Sequence, residues 1–128
     1  MMKTLHVGIA SYEAMKARTL AIARGEIVPG RDEPRIWFVS TESFARILSD
    51  RNRALLGEIA QHPPATLTEL ARRTGRQPSN LSRTLKTMER YGLVTLARGP
   101  RGSLLPRVPW RRIVLSVALD APSAQAAE

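Results

Sequence analysis

The sequence predicts an α+β fold with a helical centre and strands towards both ends. Three observations carry that reading. Thr66, Glu69, Gly75, Pro78 and Gly92 punctuate the middle of the chain as two capped helices joined by a tight turn. Leu5, Val7 and Ile9 alternate with Thr4, His6 and Gly8 near the start. Ile113, Leu115, Val117 and Leu119 alternate in the same way with Arg112, Val114, Ser116 and Ala118 near the end.

The first alternating run is a short strand with one buried face. Ser11 is placed to cap a following helix, with Glu13 in its first turn. Tyr12, Met15, Thr19, Ile22 and Ala23 share one side of that helix, which is expected to stop at Gly25. Glu26 to Pro34 reads as an exposed loop, and the continuously apolar Ile36-Trp37-Phe38-Val39 as a second strand. Strand, helix and strand make a βαβ unit with an expected right-handed crossover. Two strands alone are marginal in water, so this unit needs cover from the rest of the chain or from a second subunit. Trp37 and Phe38 are core residues in the first case and interface anchors in the second.

A short helix is expected over Thr41 to Leu48, with Phe44, Ile47 and Leu48 on one side and Thr41 or Ser43 as its cap. The next runs from about Asp50 to Gln61 and buries Leu55, Leu56 and Ile59. Pro63-Pro64 then force an extended connection. The stretch that follows, Thr66 to Val94, is the most informative in the chain. Thr66 and Glu69 have capping-box spacing, Leu67, Leu70 and Ala71 form one apolar stripe, and Gly75 ends the helix. Pro78 restarts the chain as a helix with Leu81, Leu85 and Met88 inward, and Gly92 ends it.

The opposite face of that second helix carries Ser79, Ser82, Arg83, Lys86, Thr87 and Arg90. Glu89 is the only acid between Arg76 and Arg90, whereas a merely solvated helix interleaves both signs. Two capped helices around a glycine turn are the signature of a helix-turn-helix, whose second helix enters the DNA major groove. Val94 to Ala97 then reads as a strand, Arg98 to Ser103 as a turn, and Leu104-Leu105 as a return strand kept short or at an edge by Pro106 and Pro109. The last alternating run either extends that hairpin or joins the N-terminal strands. From Asp120 onward the composition suggests a disordered tail.

The segment from about Asp50 to Leu119 resembles the winged-helix DNA-binding domains of the MarR and ArsR type of bacterial regulators. Leu70-Ala71 in the positioning helix, Asn80-Leu81-Ser82-Arg83 opening the recognition helix, and Leu85 with Gly92-Leu93-Val94 leading into the wing carry the resemblance. The whole chain also resembles a narrower group of DNA-binding proteins often read as antitoxin-like partners of a neighbouring toxin. The expected architecture is therefore a winged helix-turn-helix over residues 41–119, preceded by a strand–helix–strand unit over 1–40 and followed by a tail over 120–128.

Composition agrees with a polyanion as partner. There are 20 Lys and Arg against 11 Asp and Glu, a net charge of +9. Residues 49–93 alone carry eight bases and four acids. The chain has no cysteine, which excludes disulfides and thiolate metal sites and fits a cytoplasmic protein. No signal peptide, membrane span or membrane partner is expected. His6 and His62 join no motif, and neither a phosphate-binding glycine loop nor a metal-spaced cluster is visible, so no catalytic residue, cofactor or metal is expected.

Within the expected site, Arg83 is the best reader of base edges, since a guanidinium pairs with guanine in bidentate fashion. Asn80 can do the same for adenine or serve a phosphate. Ser79 and Ser82 suit phosphates, Arg76 and Gln77 sit at the helix start, and Lys86, Thr87 and Arg90 lie further along. Arg98 and Arg101 flank the wing tip, where an arginine suits a narrow minor groove. Arg111 and Arg112 are as well explained as edge-strand solubility charges. The function expected is a homodimeric regulator of double-stranded DNA, an autorepressor in form, with a toxin protein as a further partner implied by the resemblance. Its rivals are an RNA-binding module of the same fold and an interaction adaptor whose basic face is incidental.

Overall fold

Gly25, Gly75 and Gly92, the three glycines read as helix stops, all adopt positive φ, at 75°, 71° and 76°. The structure, a computed structural model, describes residues 3–31 and 33–119. Among these residues five α-helices and two small sheets make an α+β chain. The chain divides into two compact units: Lys3 with residues 47–111, and residues 4–46 with 112–119. The tail expected at 120–128 lies outside the described residues.

In the unit of residues 47–111, α3 (Asp50–Gln61) is capped by Ser49, whose hydroxyl accepts the Asn52 N–H at 3.2 Å. Helix α4 (Leu67–Thr74) is capped by Thr66, which accepts the Glu69 N–H at 3.0 Å. Glu69 does not complete the expected capping box by its side chain. Its carboxylate accepts Arg73 Nη1 at 2.8 Å instead, because the guanidinium four residues on is the stronger donor. Helix α5 (Pro78–Arg90) has proline in its first turn and closes in a Schellman arrangement. There Leu93 N–H bonds Met88 O at 3.0 Å and Gly92 N–H bonds Glu89 O at 2.9 Å. Leu55, Leu56, Ile59, Leu70, Leu81, Leu85, Met88, Leu93 and Val94 are all buried.

After α5 the chain forms an antiparallel pair, β3 (Thr95–Arg98) and β4 (Leu104–Arg107), with Leu96 opposite Pro106. Two bonds tie the hairpin's exit to the helices: Arg107 Nη1 donates to Pro64 O at 3.0 Å, and Trp110 Nε1 to Gly92 O at 2.9 Å. At the tip, Pro100–Gly102 form a 3₁₀ turn in which Arg101 has φ 60° and ψ 27°. That left-handed conformation costs a non-glycine residue about 1–2 kcal/mol.

The other unit is a parallel sheet in the order β2-β1-β5, where β1 is Thr4–Ile9, β2 is Ile36–Phe38 and β5 is Arg112–Ser116. Val7 pairs with Ile36 on one side and with Leu115 on the other. The last strand thus joins the N-terminal strands and does not extend the β3–β4 hairpin. This moves the expected unit boundaries. Helix α2 (Thr41–Ile47) lies almost wholly in the unit of β1, where Phe44 packs edge-on against Phe38 at 5.2 Å. Its start is held by a reciprocal pair, Ser43 N–H to Ser40 Oγ at 3.0 Å and Ser40 N–H to Ser43 Oγ at 3.2 Å. Ser40, and neither Thr41 nor Ser43, therefore takes the capping place.

Helix α1 (Tyr12–Ala23) begins as expected, with Ser11 Oγ accepting the Ala14 N–H at 3.1 Å. Its inner face differs from the expected one. Ala14, Met15, Arg18 and Ala21 are half-buried, whereas Tyr12 is 69% exposed and Ile22 37%. Arg18 lies over the Trp37 ring at 5.8 Å while pairing with Glu33. Trp37 in turn covers Gly8, where a Cβ would stand 2.6 Å from Cζ3 of the indole. Among the described residues no helix is long and apolar enough to cross a membrane.

Candidate functional site

Helix α5 advances about 100° per residue, so Ser79, Asn80, Arg83, Lys86, Thr87 and Arg90 fall within an arc of about 120° centred near Arg83. Leu81, Leu85 and Met88, all buried, occupy the opposite side. Ser79, Asn80, Arg83, Lys86 and Arg90 are exposed; Ser82 and Thr87 are half-buried, with Ser82 at the margin of the arc. Glu89 falls outside it. The basic face therefore follows from burial of the apolar stripe, not from any special fold of the helix.

Local bonds pre-set several of these side chains. Arg83 Nη2 donates to Asn80 Oδ1 at 2.6 Å, and Arg90 Nη2 to Thr87 Oγ1 at 3.3 Å. Both are one-turn contacts that the arc's geometry permits. Arg76 turns towards α3: its Nη2 donates to Arg51 O at 3.1 Å and to Asn52 Oδ1 at 3.0 Å. Asn52 is itself anchored by Nδ2 to Ile47 O at 3.0 Å. Burial, and next the charge of Arg51, hold the Arg76 guanidinium below the usual arginine range.

Acids on this unit are largely engaged elsewhere. Arg73 reaches Glu58 Oε2 at 2.8 Å and Glu69 Oε1 at 2.8 Å, joining α3 to α4, and Arg53 pairs with Asp50 at 3.1 Å. These pairs remove carboxylates from competition for the cations of α5. Arg76, Gln77, Asn80 and Arg83 are brought together in one concavity of about 370 Å³, joined by Arg51 and Thr84. Arg98 and Arg101 do not line it. They lie on the β3–β4 hairpin, both exposed.

Residues 47–115 match the HVO_A0114 family. The chain belongs to the HVO_A0114 family. The match begins at the residue where the helical unit resumes and ends inside β5. The matched residues include Arg51 and each expected contact residue from Arg76 to Arg101. The family's name carries no activity. No curated protein matches the chain significantly.

Arg51, Thr84 and Trp110 were not singled out by the sequence. Arg51 lies in the first turn of α3, where a base looks like ordinary solubility, and only folding brings it beside α5. Trp110 follows a proline in a loop, and nothing local marks its bond to Gly92.

Proposed function

We propose that residues 47–111 form a winged helix-turn-helix that binds duplex DNA, with α5 as recognition helix and the β3–β4 hairpin as wing. The observation that carries the reading is the arc of Ser79, Asn80, Arg83, Lys86, Thr87 and Arg90, exposed or half-buried and free of carboxylates. Arg83 lies at the centre of the arc, where it meets base edges, Asn80 lies at its flank within reach of a base or a phosphate, and Lys86 and Arg90 suit phosphates. Arg98 and Arg101 are the wing's contribution. Holding Arg101 in a left-handed conformation at the tip is a cost that a phosphate or minor-groove contact offsets.

In this reading the protein acts as a homodimeric autorepressor, because two half-sites multiply affinity and discrimination. Exposed Val39, Val114, Val117 and Leu119 around the parallel sheet supply apolar surface for a second copy. A toxin protein as additional partner follows from the resemblance alone.

The direct test is fluorescence anisotropy on duplex DNA across a salt series. Affinity is expected to fall steeply, with a log–log slope of about −0.9 for each phosphate neutralised. A slope near zero removes DNA as the partner, and tighter binding to a matched RNA duplex transfers the site to RNA. Arg83→Ala is expected to cost about 1–3 kcal/mol at a selected cognate sequence and to relax discrimination there. Arg101→Ala is expected to weaken all sequences alike. Parent-like cognate affinity in Arg83→Ala would place the recognition face elsewhere.

A further inference from the structure

The concavity beside α5 is lined by Arg51, Arg76 and Arg83 with no carboxylate among its lining residues. Arg51, Arg76 and Arg83 share the lining of a cleft of about 370 Å³, and the charge of Arg51 acts on Arg76, a repulsion that an anion between them offsets. The hydrogen bonds already made sharpen the point. Asn80 spends its oxygen on Arg83 Nη2, so the amide retains N–H groups to offer the cleft. Arg76 is fixed through Nη2 on a backbone carbonyl of α3 and on Asn52, which leaves its guanidinium held in place. What these side chains present is a set of donors around an anchored Arg76, with no acceptor charge among them, a composition suited to an oxyanion.

We infer that this cleft is a phosphate site, with Arg51 of α3 and Arg76 just before α5 gripping one phosphodiester of the DNA backbone. The inference rests on the DNA-binding reading above and adds to it a residue from another helix and a register. A phosphate held from α3 and from the start of α5 fixes how α5 sits along the duplex, while Arg83 and its neighbours on the arc read what lies beneath. The anion's charge offsets the desolvation and the Arg51 repulsion that act on the Arg76 guanidinium. A free phosphate shares the same chemistry, so the test separates the two sources.

Arg51→Ala keeps the carbonyl that anchors Arg76 and removes only the guanidinium; Arg51→Lys keeps the charge. Both are made in the full chain and compared by anisotropy over a salt series. Arg51→Ala is expected to lower the magnitude of the salt slope by about 0.9 and to weaken different sequences equally, with the slope restored in Arg51→Lys. In a duplex scanned with neutral methylphosphonates, one position is expected to weaken the parent by clearly more than it weakens Arg51→Ala, in which Arg76 still meets that phosphate. In a second arm, inorganic phosphate at constant ionic strength is expected to raise the parent's melting temperature and not that of Arg51→Ala. Parent-like slope and methylphosphonate sensitivity in Arg51→Ala, with equal phosphate response, overturn the site and leave DNA binding standing. Arg51-dependent stabilisation by phosphate in a chain that ignores duplex DNA overturns the DNA reading and assigns the cleft to a free phosphate.

Discussion

Leu85→Ala is expected to destabilise the unit of residues 47–111 by about 2–5 kcal/mol. Leu85 is fully buried, in the middle of the inner stripe of α5 between Leu81 and Met88, which are 0% and 1% exposed. Truncation removes its transfer energy and leaves a cavity that the stripe's neighbours, held by short capped helices, close only in part. Domains of this size are stable by only about 5–15 kcal/mol, so one such change consumes much of the margin. DNA affinity is expected to fall with the folded fraction, since the basic arc exists only while the opposite stripe is packed. Urea unfolding followed by circular dichroism measures the loss. Lys86→Ala, one residue along on the exposed side, is the control and is expected to stay within about 0.5 kcal/mol in stability. Equal midpoints for the two variants would mean that the inner and outer faces of α5 are exchanged.

The division between what the sequence discloses and what it hides follows range. Thr66, Gly75, Pro78 and Gly92 act on backbone groups a few residues away, and the Leu55, Leu56 and Ile59 spacing is as local, so α3, α4 and α5 fall where the pattern puts them. The basic arc is equally local, being the complement of the Leu81, Leu85 and Met88 stripe. Pairing of β5 with β1 joins the two ends of the chain, and nothing within either strand favours it over extension of the hairpin. Tyr12 and Ile22 mislead about α1 because hydrophobicity alone does not say which side of a helix meets the sheet: Ala14 and Ala21 are half-buried and Tyr12 and Ile22 exposed. The phosphate cleft is hidden for a similar reason. Arg51 and Arg83 lie 32 positions apart, and their meeting depends on how α3 and α5 pack.

Burial and electrostatics act together in the helical unit. Arg73 satisfies Glu58 and Glu69 and so spends acids at the α3–α4 contact, while Arg51, Arg76, Arg83, Lys86 and Arg90 gather around α5. The same few carboxylates, placed on α5, would quench the field that draws a polyanion. Separating the pairs from the surplus is what makes a modest net charge act as a directed one.

Removing residues 1–40 is expected to abolish dimerisation while leaving residues 47–111 folded. Strand β1 is the central strand, and β2 and β5 each pair with it and not with each other. Its loss, with β2, leaves β5 without a partner and exposes Ile113 and Leu115, which are half-buried in the intact sheet. The helical unit keeps the buried side chains of α3, α4 and α5 and both ties of the hairpin's exit, to Pro64 and to Gly92. Far-UV circular dichroism is therefore expected to retain a cooperative helical transition, and light scattering to give a monomer for the truncated chain and a dimer for the full one. Salt-dependent binding to arbitrary duplex DNA survives, but affinity for a two-fold operator drops by roughly 10²–10⁴, because the second half-site is no longer reached intramolecularly. A truncated chain that still dimerises would assign the interface to residues 47–119, and one that fails to fold would show that the helical unit depends on the sheet.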